Sequence, residues 1–269
     1  MKIGAATYSY LYDCDVFEAV KRVNAKGFKM LEIMATPPHI WPREFGKAQR
    51  EKLRLLIADL GMEVFSVNPT YTDINLLSTN PALREESLKQ FQEQIDFASD
   101  IGAKLIVYVP GRVHALIPIP ETQLLKLAKE QTEKCLEYAT NKKITLGLEH
   151  VPFGFLKTGL ELKEFYDTIP KSNYFKIVYD TANANIVEKS EDGLRDVAEN
   201  LGLVHMVDNN GKQWAHQPLG EGSVNFEAVV QTLKEITYDG HIIIEHIRSD
   251  SPDADLEVSY KKLEDLGLL

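Results

Sequence analysis

Residues 144–150 read Ile-Thr-Leu-Gly-Leu-Glu-His, and residues 175–180 read Phe-Lys-Ile-Val-Tyr-Asp. Two later stretches are built the same way: 203–208 is Leu-Val-His-Met-Val-Asp and 241–246 is His-Ile-Ile-Ile-Glu-His. Nearly continuous apolar runs of this kind suit parallel strands covered on both faces. Working outward, four more such runs lie at 2–10, 29–35, 63–68 and 104–110. Helical patterns separate them. Asp13 and Asp15 can cap a helix carrying Val16, Val20 and Val23, which ends at Gly27. Leu53, Leu56 and Leu60 precede Gly61, and Leu88, Phe91, Ile95 and Ala98 precede Gly102. Further helices are predicted over 226–236 and 256–266. Eight strand-like runs alternating with about eight helices imply right-handed βαβ crossovers. The count favours an α/β fold, a closed (β/α)8 TIM barrel forming one domain over 1–269; a doubly wound open sheet is the alternative.

Bulk properties bound the partners. The chain is 44% apolar and 26% charged, which excludes disorder and a coiled coil. A net charge of −10 with no Lys/Arg run makes nucleic acid a poor partner. Cys14 and Cys135 are the two cysteines, so neither a disulfide framework nor a zinc ribbon can be built. No signal peptide pattern opens the chain, and no stretch reaches the ~18 apolar residues that span a bilayer. A cytoplasmic protein that does not engage membranes is expected.

In such a barrel, chemistry sits at the C-terminal strand ends. Those ends carry Glu149-His150, Asp180-Thr181, His205 with Asp208, and Glu245-His246, while Glu32 lies within the second run and His114 just beyond the fourth. Taken singly, a strand His is an ordinary core residue and Asp180 an ordinary helix cap. Taken together, Glu149, Asp180, His205 and Glu245 occupy equivalent places on four consecutive strands. Three facing carboxylates would repel one another, and one divalent cation relieves that repulsion. Three oxygens and one imidazole suit Mn2+, Mg2+, Co2+ or Zn2+.

The strand ends GLEHVP, VYDTANAN, HMVDNNG and IIIEH, with the segment from His216 to Gly222, resemble the xylose isomerase-like barrels. Together with LEIMATPPH and REESL, they are most similar to the sugar epimerase branch, which includes ketose 3-epimerases and fructoselysine 3-epimerase. The resemblance covers essentially the whole chain. It implies Glu149, Asp180, His205 and Glu245 as metal ligands, with Glu149 and Glu245 also serving as catalytic acid and base. Apurinic endonucleases of the same superfamily hold three metals through extra histidines after strands 3 and 4. Here those places read Val67-Asn68-Pro69 and Val109-Pro110, and Trp214 stands where those enzymes have an Asp. The ketose epimerases typically have His where this chain has Asn183, and often Arg where it has Gly211.

The expected chemistry is isomerisation or epimerisation of a hydroxy-ketone or hydroxy-aldehyde sugar by proton transfer through a metal-stabilised enediolate. Expected substrate contacts are His216, Asn183, Asp208, Glu32, His114 and Trp41, with Tyr8 a weaker candidate of the same kind. Glu32 has two open readings: it orients substrate or a ligand, or it is a carboxylate hydrogen-bonded inside the barrel. Trp41, with His39 and Pro37-Pro38, reads as a wall against water or as plain packing. Gly220-Glu221-Gly222 reads as a turn more than as a phosphate cradle, given its central carboxylate. Other readings are a dehydratase of inosose or dehydroshikimate type, an abasic-site nuclease opposed by the missing histidines, and a non-catalytic sugar sensor opposed by the complete ligand set. Barrels of this kind commonly pair, so a homo-oligomer is an expectation.

Overall fold

The computed structural model describes residues 1–69 and 73–269. Eight parallel strands close in sequence order, β1 to β8, with β8 returning to β1. They are β1 (Lys2–Ala6), β2 (Met30–Ala35), β3 (Glu63–Pro69), β4 (Leu105–Tyr108), β5 (Thr145–Glu149), β6 (Phe175–Asp180), β7 (Leu201–Met206) and β8 (His241–Ile244). The closed barrel expected from the alternation is present, and the open sheet is not. Among the described residues there are nine α-helices: α1 (Val16–Ala25), α2 (Lys47–Asp59), α3 (Pro81–Ile101), α4 (Glu121–Asn141), α5 (Gly159–Thr168), α6 (Thr181–Asn185), α7 (Ser190–Val197), α8 (Phe226–Glu235) and α9 (Pro252–Asp265). The β6–β7 connection holds two helices rather than one. None is long and apolar enough to cross a membrane.

The first strand is shorter than its run of 2–10. Thr7 leaves the ladder: its N–H donates to the Glu32 carbonyl at 3.0 Å, and its hydroxyl accepts from Met34 N–H at 3.0 Å. Tyr8–Tyr10 then form a 3-10 turn. Asp15 caps α1 by accepting from Glu18 N–H at 2.9 Å, as its position predicted.

Side chains alternate between the barrel bore and the helix layer with a period of two. The bore is filled by a small cluster that includes Ala6, Met30, Leu105, Val107, Val178, Leu203 and Ile243. Gly147 belongs to the same layer, because a Cβ there would lie 2.6 Å from a Val178 methyl. Two places beyond Gly147, Val178, Leu203 and Ile243 come Glu149, Asp180, His205 and Glu245. Two beyond Met30 comes Glu32, and two beyond Ala6 comes Tyr8. The polar site is therefore the next inward layer above an apolar plug. A bulge refines this pattern on β3. Leu31 pairs with Val64 but Glu32 pairs with Ser66, so Phe65 is the extra residue. Past it, Ser66 and Asn68 turn toward Glu32.

Candidate active site

His205, on β7, sits at the centre. Its Nδ1 lies 2.7 Å from Glu149 Oε1, 3.6 Å from Glu245 Oε2 and 4.0 Å from Asp180 Oδ2. Its Nε2 faces the other way, 3.0 Å from Glu32 Oε2. All five residues are buried. Asp180 divides its carboxylate between two tasks. Oδ1 caps α6 by accepting from Asn183 N–H at 2.5 Å, so the helix-cap reading holds for that oxygen. Oδ2 is buried with no hydrogen-bond partner among the described residues. His216, from the loop after β7, brings Nε2 within 3.6 Å of both Asp180 Oδ2 and Glu245 Oε2.

An orphaned carboxylate oxygen amid further carboxylates and an imidazole fits a divalent cation. Ligand atoms of Glu149, Asp180 and His205 fall within 4.8 Å of one another, and so do those of Asp180, His216 and Glu245 and those of Glu32, His205 and Glu245. These buried groups could hold a metal.

The model of the xylose isomerase-like TIM barrel family matches residues 20–266. The chain belongs to this family. An uncharacterized protein of Methanocaldococcus jannaschii is 26% identical over 253 residues, covering 91% of this chain and 84% of that one. The L-ribulose-5-phosphate 3-epimerase UlaE of Shigella flexneri is 23% identical over 247 residues, covering 90% and 85%. Among solved structures, a D-tagatose 3-epimerase-like protein superposes with a TM-score of 0.86 at 25% identity, over 99% of this chain and 97% of that one. Of these relatives, UlaE is a sugar epimerase, an enzyme of the isomerase class, and the solved structure is named for its likeness to another.

In this member of the family a cavity of about 740 Å3 opens above the buried group. Glu149 and Glu245 line it; Asp180 and His205 lie beneath. Burial pushes the carboxyls of Glu149 and Glu245 above the ordinary carboxylate range, against the pull of His205. Burial alone would lower His205, but Glu32, Glu245 and Glu149 outweigh it and raise the imidazole well above its usual value. For Asp180 the same burial cost is overcome by His216 and His205, leaving it lowered. Burial, with Glu245 nearby, raises the Tyr8 phenol on the cavity wall, so it stays protonated.

The substrate candidates divide. His216 and Asn183 line the cavity. Asn183 donates to the His150 carbonyl at 3.0 Å and accepts from Trp214 Nε1 at 2.6 Å, so both ends of its amide are engaged. Asp208, His114, Trp41 and Glu32 do not line the cavity. Asp208 does not reach the cavity: its buried carboxylate accepts from the N–H groups of Asn209, Gly220, Gly222 and Val224. That arrangement also makes Gly220-Glu221-Gly222 a turn. His114 is exposed on the loop after β4, where Nδ1 accepts from the N–H groups of Leu116 and Ile117 at 3.2 Å each. Trp41 lines a separate depression beside α1 and α3 with His39, whose Nε2 is held at 2.9 Å from the Cys14 carbonyl. Glu32 is buried, with its carboxylate hydrogen-bonded inside the barrel by Ser66 and Asn68.

Sequence reading missed the wall opposite. Trp214 and Phe153 are 45% and 43% exposed, their rings meet edge to face at 4.3 Å, and both line the cavity. They come from separate loops, and no sequence periodicity joins them. Ser66 and Asn68 were not singled out either, although Asn68 is a polar residue at a strand end.

Proposed function

We propose that this protein is a divalent-metal-dependent sugar isomerase or epimerase that moves a proton at a carbon next to a carbonyl. The observation that carries this reading is the split within the four strand-end residues. All converge at one cavity, but only the two glutamates line it, Glu149 at the end of β5 and Glu245 just past β8. The sugar 3-epimerase activities of the relatives support it.

Glu149, Asp180, His205 and Glu245 would hold the cation, which supplies Lewis acidity that polarises a substrate carbonyl and offsets charge developing on its oxygen. The proton itself is the work of the glutamates. One takes it from the α-carbon. If the other returns it on the opposite face the product is an epimer; return to the neighbouring carbon gives the aldose–ketose isomer. His216 donates to a substrate hydroxyl beside Glu245. Trp214 and Phe153 shield the enediolate from water and offer aromatic faces to the sugar's C–H groups.

The test is incubation of Mn2+-loaded protein with free and phosphorylated ketoses and aldoses in heavy water. Deuterium entering at a carbon next to the carbonyl, with an epimer or isomer formed, is expected. Glu149→Gln and Glu245→Gln should each slow it by about 10²–10⁴-fold. Uptake that persists unchanged in both variants would refute the assignment.

A further inference from the structure

Two carboxylates, Glu149 and Glu32, lie at hydrogen-bond distance from the His205 ring, and the surroundings of its two nitrogens differ in kind. On the Nδ1 side lie Glu149 Oε1, Glu245 Oε2 and Asp180 Oδ2, and among the described residues none of the three oxygens accepts from an N–H or O–H other than the His205 and His216 rings. On the Nε2 side Glu32 is already served by donors. The Ser66 hydroxyl donates to Glu32 Oε2 at 2.6 Å, and Asn68 Nδ2 donates to Glu32 Oε1 at 3.2 Å. Asn68 Nδ2 also donates to Glu245 Oε1 at 2.6 Å. Gathered acceptors without donors suit a cation; a carboxylate saturated by donors suits a hydrogen bond from an imidazole N–H.

We propose that Glu32 is a positioning residue: it accepts a hydrogen bond from His205 Nε2–H, so that the Nδ1 lone pair is the one directed at the cation, and Asn68 ties Glu32 to Glu245. This rests on the metal reading given above, and it removes Glu32 from the possible ligands. Three features agree. The ring has one acceptor and one donor nitrogen when neutral, and Glu32 offers its donor a partner. Glu32 is fully buried and absent from the cavity wall, so no substrate reaches it. Asn68, at the end of β3, holds a Glu245 oxygen other than the one nearest His205, leaving Oε2 to the site. The His ligand and one candidate base are thereby set by a single chain of contacts, Ser66–Glu32–Asn68–Glu245, from strands that supply no ligand of their own until β8. Hydrogen-bond partners of this kind characteristically alter metal affinity by about 10–100-fold when removed.

The first measurement uses the wild-type protein labelled with 15N-histidine and loaded with Zn2+. Long-range 1H–15N NMR should place the His205 ring proton on Nε2, the resonance being assigned by its loss in His205→Gln. A proton on Nδ1 overturns the proposal without any variant of Glu32. The second measurement is Zn2+ affinity by chelator competition. Glu32→Gln keeps size and an acceptor oxygen but loses the charge, and should weaken affinity 10–100-fold. Wild-type affinity in Glu32→Gln overturns the positioning role; loss of the stoichiometric site, as in Asp180→Asn, makes Glu32 a ligand and also overturns it. Folded wild-type protein that takes up no Zn2+ or Mn2+ overturns the metal reading itself.

Discussion

Asp208→Asn should destabilise the protein by about 3–6 kcal/mol, although the residue touches nothing in the cavity. Oδ1 accepts from Asn209 N–H at 2.8 Å and Val224 N–H at 3.0 Å; Oδ2 accepts from Gly220 N–H at 3.0 Å and Gly222 N–H at 2.9 Å. An asparagine must turn its NH2 toward one of these pairs in either orientation. Two charge-assisted bonds are lost, each worth about 1.5–3 kcal/mol, and two N–H groups face a donor. No relaxation is easy, because a Cβ on Gly222 would already collide with the Asn209 carbonyl and the Asp208 carboxylate. Against a total stability of about 5–15 kcal/mol this is a large fraction. The same loop carries His216, because Asp208 and Gln217 exchange backbone hydrogen bonds at 3.2 and 2.8 Å. Urea unfolding of wild type and variant at pH 7 gives the difference, with equal m-values as the check that the unfolded states match. A loss below about 1 kcal/mol would refute the view that the carboxylate organises this loop.

Three further outcomes are expected. Burial pushes His150 down to about 4, so its neutral form favours the folded state. That stability is complete above the unfolded value of about 6.5 and is lost as pH falls to about 4, some 3 kcal/mol in all; His150→Gln should flatten the acid limb of a urea-midpoint series, and an unchanged limb contradicts the burial argument. His205 in the metal-free protein is raised by its carboxylates, so cation uptake must release its proton; calorimetry in buffers of different ionisation enthalpy should detect the release, with affinity rising as pH rises, and a pH-independent affinity would speak against His205 as a ligand. Trp214→Phe removes the 2.6 Å bond to Asn183 while keeping an aromatic ring, so KM should rise several-fold with kcat nearly unchanged; a fall in kcat alone would place Trp214 in the chemistry rather than in the wall.

The barrel and its four central residues were legible because one rule, the period of two along a strand, governs both. A short apolar run that buries Val178, Leu203 or Ile243 in the bore necessarily aims Asp180, His205 or Glu245 at the mouth. Counting parity strictly would also have spared an error: Asp208 stands three places after His205, out of step with the inward set, and the ladder has already ended at Met206. Ser66 was hidden for the opposite reason, since the bulge at Phe65 inverts parity on β3 in a way that pairing alone reveals. Loop residues obeyed no local rule. Trp41 and His114 follow strand ends in sequence just as Trp214 and Phe153 do, yet which of them faces the cavity depends on contacts between distant segments, such as Trp214 with Asn183 and Phe155 N–H with the Gly111 carbonyl.

The contacts of His205 have a consequence for how the chain is divided. Every candidate ligand lies between residues 149 and 245, in the second half of the barrel, while Glu32, Ser66 and Asn68 lie in the first. A fragment comprising β5 to β8 would carry the full coordination set but nothing to fix the direction of its imidazole. The first four strands would carry the braces with nothing to hold. If the site takes a cation as proposed, loading it would join the two half-barrels across the bore, and amide exchange in β2 and β3 should slow on binding to residues that those strands do not supply.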